Sequence, residues 1–260
     1  MNTDLKQHLI ALAHHYNTPD FIASDPVQFP HRYTQKQDIE ISAFVTAWIS
    51  WGNRRQIIKT ADHIDHNIFR HKPHAYLMSG EWKAFSDDTN CFYRTCRYND
   101  FFRLMERLYN IYNEYGTLEN AVVTTMEALR ESGDTATTAA TALSTLFSGV
   151  NGIADAHKGS PCKRLWFFLR WMVRRDGIVD LGIWHQLSPQ ELIIPLDTHV
   201  FQTARDLGIT SRRSADMKTA VEITNFFRAI FPDDPTLGDF ALFGLGIEHA
   251  GVMLNQSSPS

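Results

Sequence analysis

The run QDIEISAFVTAWISWG, residues 37–52, is apolar at Ile39, Ile41, Phe44, Val45, Trp48 and Ile49. Wound at 3.6 residues per turn, these positions gather toward one stripe, and Gly52 marks the stop. NRRQIIKTADHIDHNIF, residues 53–69, follows with Ile57, Ile58, Ala61, Ile64 and Ile68. The spacing predicts two helices joined at Trp51-Gly52-Asn53.

The same period runs through the rest of the chain. NDFFRLMERLYNIYNEYG (99–116) reads as a helix with Asn99 or Asp100 at its N-cap and Gly116 at its end. TLENAVVTTMEALRES (117–132) and TATTAATALSTLFSGV (135–150) read as two shorter helices. SPCKRLWFFLRWMVRR (160–175) predicts a helix from about 161, because Pro161 lacks only an N–H that a first turn leaves unpaired anyway. PLDTHVFQTARDLG (195–208), SADMKTAVEITNFFRAIF (214–231) and DPTLGDFALFGLGIEHAGVML (234–254) complete the series. GIVDLGIWHQL (177–187) and ELIIPL (191–196) are the only strand candidates. Residues 72–97 read as an irregular, loop-rich insertion, and NQSSPS (255–260) as a disordered tail. The expected fold class is all-α: one unit over residues 1–260, built from two helical lobes around a central cleft.

Composition narrows the function classes. The chain has 260 residues, 43% hydrophobic and 21% charged, ordinary for a globular protein with a substantial core. Cys91, Cys96 and Cys162 are too few for a disulfide framework and too far from further ligands for a zinc or iron–sulfur site. The first seventeen residues lack the pattern of a signal peptide, and no apolar run reaches membrane-spanning length. A cytoplasmic protein is expected. The net charge of −4 does not announce a nucleic-acid binder. Residues 151–230 nevertheless hold eleven Lys and Arg against eight Asp and Glu, a local +3.

Two residues interrupt apolar surroundings. Asp197 sits between Leu196 and Thr198-His199-Val200-Phe201. A carboxylate there caps a helix, stabilises a developing positive charge, or does both. Lys163 follows Ser-Pro-Cys at a helix start. The positive end of the helix dipole and apolar burial both disfavour an ammonium there. A neutral amine is a nucleophile able to form a Schiff base; a solvated or phosphate-binding lysine is the plainer alternative.

IPLDTHVFQTARDLGI (194–209) resembles the helix carrying the essential aspartate of helix-hairpin-helix (HhH-GPD) DNA glycosylases, the group that includes endonuclease III and the 8-oxoguanine glycosylases. Asp197 falls on that aspartate. GSPCKRLWFFLRWMVR (159–174) resembles the end of the family's hairpin and its lysine helix, and Lys163 falls on the Schiff-base lysine. AFVTAWISWGNRRQIIKTADHI (43–64) is similar to the helix pair that reaches into the gap left by an extruded base, with Asn53 at the asparagine position of 8-oxoguanine glycosylases. GDFALFGLGIEH (238–249) is similar to the closing helix. The 34 positions from Lys163 to Asp197 are closest to the archaeal 8-oxoguanine branch. The hairpin departs from the family's two-glycine form: HKGSPCK offers Gly159 alone, and Pro161 removes an N–H donor.

The resemblance implies a base-excision enzyme acting as a monomer on double-stranded DNA with a damaged, 8-oxoguanine-like base. It implies no cofactor and no metal. Lys163 and Asp197 would be catalytic. Asn53, Arg54, Arg55, Gly159, Ser160, Arg164 and His199 would contact DNA, and AP-lyase β-elimination is open to the lysine. Trp48, Trp51, Trp166 and Trp171 are candidates for base stacking, though aromatics at helical spacing more often fill cores. Two alternatives stand beside this reading. One is a non-catalytic nucleic-acid-binding protein on the same fold. The other is a metal-dependent hydrolase using histidines such as those of DHIDH (62–66) and AHHYN (13–17).

Overall fold

The computed structural model describes residues 3–134 and 137–246. It is predominantly helical. In chain order the helices are α1 (Thr3–Tyr16), α2 (Pro19–Ser24), α3 (Lys36–Ile49), α4 (Arg54–His63), α5 (Pro73–Ser79) and α6 (Tyr98–Tyr115). Then come α7 (Leu118–Glu131), α8 (Ala139–Leu146), α9 (Lys163–Val173), α10 (Thr198–Asp206) and α11 (Met217–Arg228). A last helix, α12, covers 238–246. Among the described residues, no helix is long and apolar enough to cross a membrane. The expected tail at 255–260 lies outside the described residues.

Helix α3 is the axis of the core. All its residues from Ile39 to Ile49 are buried, so it is packed on every side. Phe44 meets Phe147 at 4.2 Å and, edge-on, Phe168 of α9 at 5.1 Å. Glu40 is fully buried in α3 yet satisfied. It accepts from Tyr112 Oη at 2.7 Å, Trp184 Nε1 at 2.7 Å and the Leu118 N–H at 3.0 Å. Burial pushes its carboxyl pKa up, and these donors oppose the shift.

Helix α9 is apolar nearly all round and buried accordingly from Leu165 to Val173, apart from Phe167 at the cleft. It begins at Lys163, not Pro161. Cys162 is the N-cap, in the left-handed region at φ 48°, so Pro161 belongs to the approach turn. Trp48, Trp166 and Trp171 are core residues.

Four further expectations are corrected. GIVDLGIWHQL forms no strand. It folds as a loop because its amides serve other acceptors: Leu181 N and Trp184 N donate to the last α9 carbonyls, Trp171 and Met172, both at 2.8 Å. Glu119 accepts from His185 N at 2.6 Å and Gln186 N at 2.8 Å. Gly182 sits at φ 60°, and a Cβ there would lie 2.8 Å from the Arg174 carbonyl. ELIIPL is likewise a short 3₁₀ turn (Pro189–Glu191) followed by extended chain. The segment 72–97 is ordered: α5, a 3₁₀ turn at Glu81–Phe85, and a hairpin of β1 (Cys91–Tyr93) and β2 (Cys96–Arg97). Finally, α6 starts at Tyr98, and Asp100 caps it from inside by accepting the Arg97 N–H at 2.8 Å.

Candidate active site

Three helix N-termini converge on one cleft. The start of α4 brings Asn53 and Arg54, the start of α9 brings Lys163, and the start of α10 brings Asp197 and His199. Each N-terminus carries the positive end of a helix dipole, which favours an anionic group between them. The cleft volume is about 460 Å³.

Asp197 divides its carboxylate between two tasks. Oδ1 accepts the Val200 N–H at 2.7 Å and caps α10. Oδ2 lies 3.3 Å from Lys163 Nζ. The pair is neither buried nor free: the side chains are 32% and 26% exposed, open enough for a ligand to reach. The Lys163 ammonium also stands 5.0 Å from the centre of the Phe167 ring, one turn along α9. Left-handed Cys162 turns the chain so that Lys163 opens the helix at the cleft mouth. Ser160 Oγ supports this turn by accepting the Cys162 N–H at 3.3 Å.

A second cavity, of about 290 Å³, adjoins the cleft and shares Asp25, Arg54, Phe167, Asp197 and His199 with it. Phe21, Phe167, Phe240 and Phe243 make it aromatic, and Asp25, Arg170 and Asp239 supply its polar groups. That combination, apolar walls with a few convergent polar atoms, is the usual make-up of a small-molecule site. Burial pushes the Asp239 carboxyl up to about 6, with the Asp197 and Asp180 charges adding to it and Arg170 and Lys163 opposing it. Burial also raises Asp25, against the Val27 N–H and the Arg54 and Arg170 charges. A carboxyl whose folded pKa exceeds its ordinary 3.8 binds more protons folded than unfolded. Asp239's contribution to stability is therefore full below about 3.8 and is lost as pH rises through about 6. Asp239→Asn should flatten the fall in stability across that window, read from urea midpoints. An unchanged slope would assign the titration to another group.

The remaining expected contacts divide. His199 is exposed at the cleft wall. Asn53 uses Oδ1 to cap α4, accepting from the Arg55 and Gln56 amides. Arg54 reaches Asp25 at 3.5 Å and lies 5.4 Å from the Phe243 ring. Arg55 is exposed beside them. Gly159, at φ 74°, faces open space, and with Ser160 it shapes the turn before α9. Arg164 is a correction. Its guanidinium points inward and donates to the Trp48 carbonyl at 2.5 Å and to the Gly152 carbonyl, so it braces the core and not a phosphate. Asp25, Phe167, Arg170 and Asp239 join the site from the structure alone. Asp239 and Arg170 carry the same signal that exposes Asp197, a charge interrupting an apolar run.

A histidine cluster lies elsewhere. Asp65, His66 and His71 place ligand atoms within 4.8 Å of one another, but none lines the cleft. Both Asp65 oxygens are engaged. Tyr33 donates to Oδ1, while Oδ2 receives Arg32 at 2.5 Å and stands 3.2 Å from His71 Nδ1. The Arg32 guanidinium also reaches Asp62 at 3.1 Å, so it supplies the positive charge a metal would bring.

No curated protein and no solved structure matches this chain. One family model, described as Protein of unknown function (DUF2400), matches residues 25–248, and the chain belongs to that family.

Proposed function

We propose that this protein is a DNA base-excision glycosylase that removes a damaged base of the oxidised-purine class and has an associated AP-lyase step. The observation that carries the reading is the 3.3 Å approach of Lys163 Nζ to Asp197 Oδ2 at the mouth of an aromatic pocket. A base within a duplex is out of reach of both groups, so the nucleotide swings out and its base enters the pocket. The helix N-termini around the cleft hold the flanking phosphate. Lys163 gives up a proton to Asp197, directly or through one water, and its lone pair bonds to the sugar C1′. The C1′–N bond breaks and its electron pair leaves with the base, which takes up a proton. Asp197 relays that proton to the departing base, and the carboxylate so restored stabilises the oxocarbenium-like centre at C1′. Ring opening yields a Schiff base. Loss of a C2′ proton then expels the 3′ phosphate and nicks the strand.

The test is reductive trapping. Duplex carrying 8-oxoguanine or an abasic site, incubated with the protein and borohydride, is expected to give a covalent protein–DNA adduct. Lys163→Ala should abolish it. Absence of an adduct from wild-type protein on oxidised-base and abasic substrates alike would overturn the lyase step. Salt-dependent DNA binding with no base release would leave only a binding protein.

A further inference from the structure

We infer that the groove between α4 and the β1–β2 hairpin is a second phosphate-binding surface, which holds duplex DNA beside the extruded nucleotide. The inference rests on the glycosylase reading and adds to it a part of the chain that reading does not use.

The groove is about 550 Å³ and open. On one side α4 presents Gln56, Lys59, Thr60 and His63, the i, i+3, i+4, i+7 face of a single helix. On the other stands the hairpin, with Arg94 at its tip. No carboxylate lines it. Among the described residues, neither Lys59 nor Arg94 has a carboxylate within ion-pairing distance, although the protein carries more acids than bases. An uncompensated pair of cations in a concave site favours an anion.

The hairpin is built to present Arg94. Phe92 stacks on Phe101 at 4.8 Å, and Tyr93 is buried with its Oη donating to the Trp51 carbonyl at 2.5 Å. These anchors fix the hairpin to the Trp51-Gly52-Asn53 corner. Arg94 itself is exposed and holds φ 54°, a conformation that tight hairpins normally assign to glycine or asparagine. The arginine is kept there despite the backbone cost. Its guanidinium lies 4.6 Å over the Trp51 ring and against Gly52, where a Cβ would collide with it. Gly52 and Asn53 also line the Lys163–Asp197 cleft. Groove and cleft are thus two faces of one corner, and a strand leaving the cleft past Asn53 meets Arg94 next.

The dimensions suit nucleic acid. Gln56 to His63 spans about 10 Å at 1.5 Å per residue. That is about three nucleotide steps at 3.4 Å of rise per strand. Lys59 and Arg94 supply positive charge for two phosphates, and Gln56 and Thr60 supply neutral donors.

The experiment is a salt titration of binding to a duplex carrying a reduced abasic-site analogue, followed by fluorescence anisotropy. Each phosphate contact contributes about 0.9 to the slope of log K against log salt. The double variant Lys59→Ala, Arg94→Ala should therefore lower the slope by about 1.8, with affinity at 0.1 M salt at least about tenfold weaker. The charge-preserving pair Lys59→Arg, Arg94→Lys should keep the wild-type slope, which separates lost charge from lost fold. If the alanine pair binds with the wild-type slope, the groove assignment is wrong while the glycosylase reading stands. If wild-type protein fails to bind the duplex at all, both fall together.

Discussion

Asp197→Asn is expected to lower single-turnover base release by about 100-fold or more while leaving thermal stability close to wild type. Asparagine and aspartate cap helices about equally well, so the Val200 N–H keeps an acceptor and α10 keeps its start. What disappears is the negative charge 3.3 Å from Lys163 Nζ. Losing one preorganised electrostatic group typically costs about 10²–10³ in rate. The ion pair is about one-third exposed, so its loss alone has little bearing on folding. Asp197→Ala should show the same loss of rate with about 1 kcal/mol of destabilisation from the missing cap. The two variants thus separate structure from chemistry at one carboxylate. Wild-type rates in Asp197→Asn would reduce Asp197 to a cap and remove the centre of the proposed mechanism.

The largest stability effect is expected beneath the site. Arg170 of α9 and Arg174, its C-cap, are 3% and 1% exposed and share the fully buried Asp180 at 3.3 and 3.0 Å. Arg170 also holds Asp239 of the pocket wall, and Arg174 also holds Asp234 at 2.7 Å and Asp176 at 2.6 Å. Burial opposes both guanidinium charges, but the surrounding carboxylates outweigh it and keep both arginines charged. Arg174→Met would leave the buried Asp180 to Arg170 alone and remove the cation that Asp234 faces. Breaking such a network from one side costs about 3–5 kcal/mol. For a chain of this size that is roughly a 10 °C fall in Tm. Adding Asp180→Leu should recover part of the loss, since the stranded charge and not the lost contact is the main penalty. A fall below about 1 kcal/mol in Arg174→Met would show that the network is solvated or slack. Helix α9 carries Lys163 at its start and Arg170 near its end, so the amine and this network share one rigid element.

The helical content was legible because burial repeats along a helix with a period the chain itself displays. Ile39 to Ile49 and the 160–175 run needed only that period and its stops. Asp197 and Lys163 were legible for a different reason: each is a charge in an apolar run. Asp239 and Arg170 bear the same mark, but what makes them part of the site, their meeting at one pocket wall, depends on packing. The insertion at 72–97 was not legible. Its hairpin is held by Phe92 on Phe101 of the next helix and by Tyr93 on the carbonyl of Trp51, which is distant in sequence. GIVDLGIWHQL misled in the opposite way. Its apolar content suits a short strand, but the partners of its amides are the end of α9 and Glu119, not a neighbouring strand.

The sequence by itself therefore determined the fold class, most helix positions and Asp197 as a candidate cap. All of these depend on local periodicity or on side-chain chemistry that travels with the residue. Tertiary structure alone decided that Lys163 and Asp197 meet at 3.3 Å, that Arg164 turns inward, and that Asp25 and Asp239 furnish one aromatic pocket. Those outcomes depend on how helices far apart in the chain pack, and the direction of a side chain across such an interface is set by its partners, not by its neighbours in sequence.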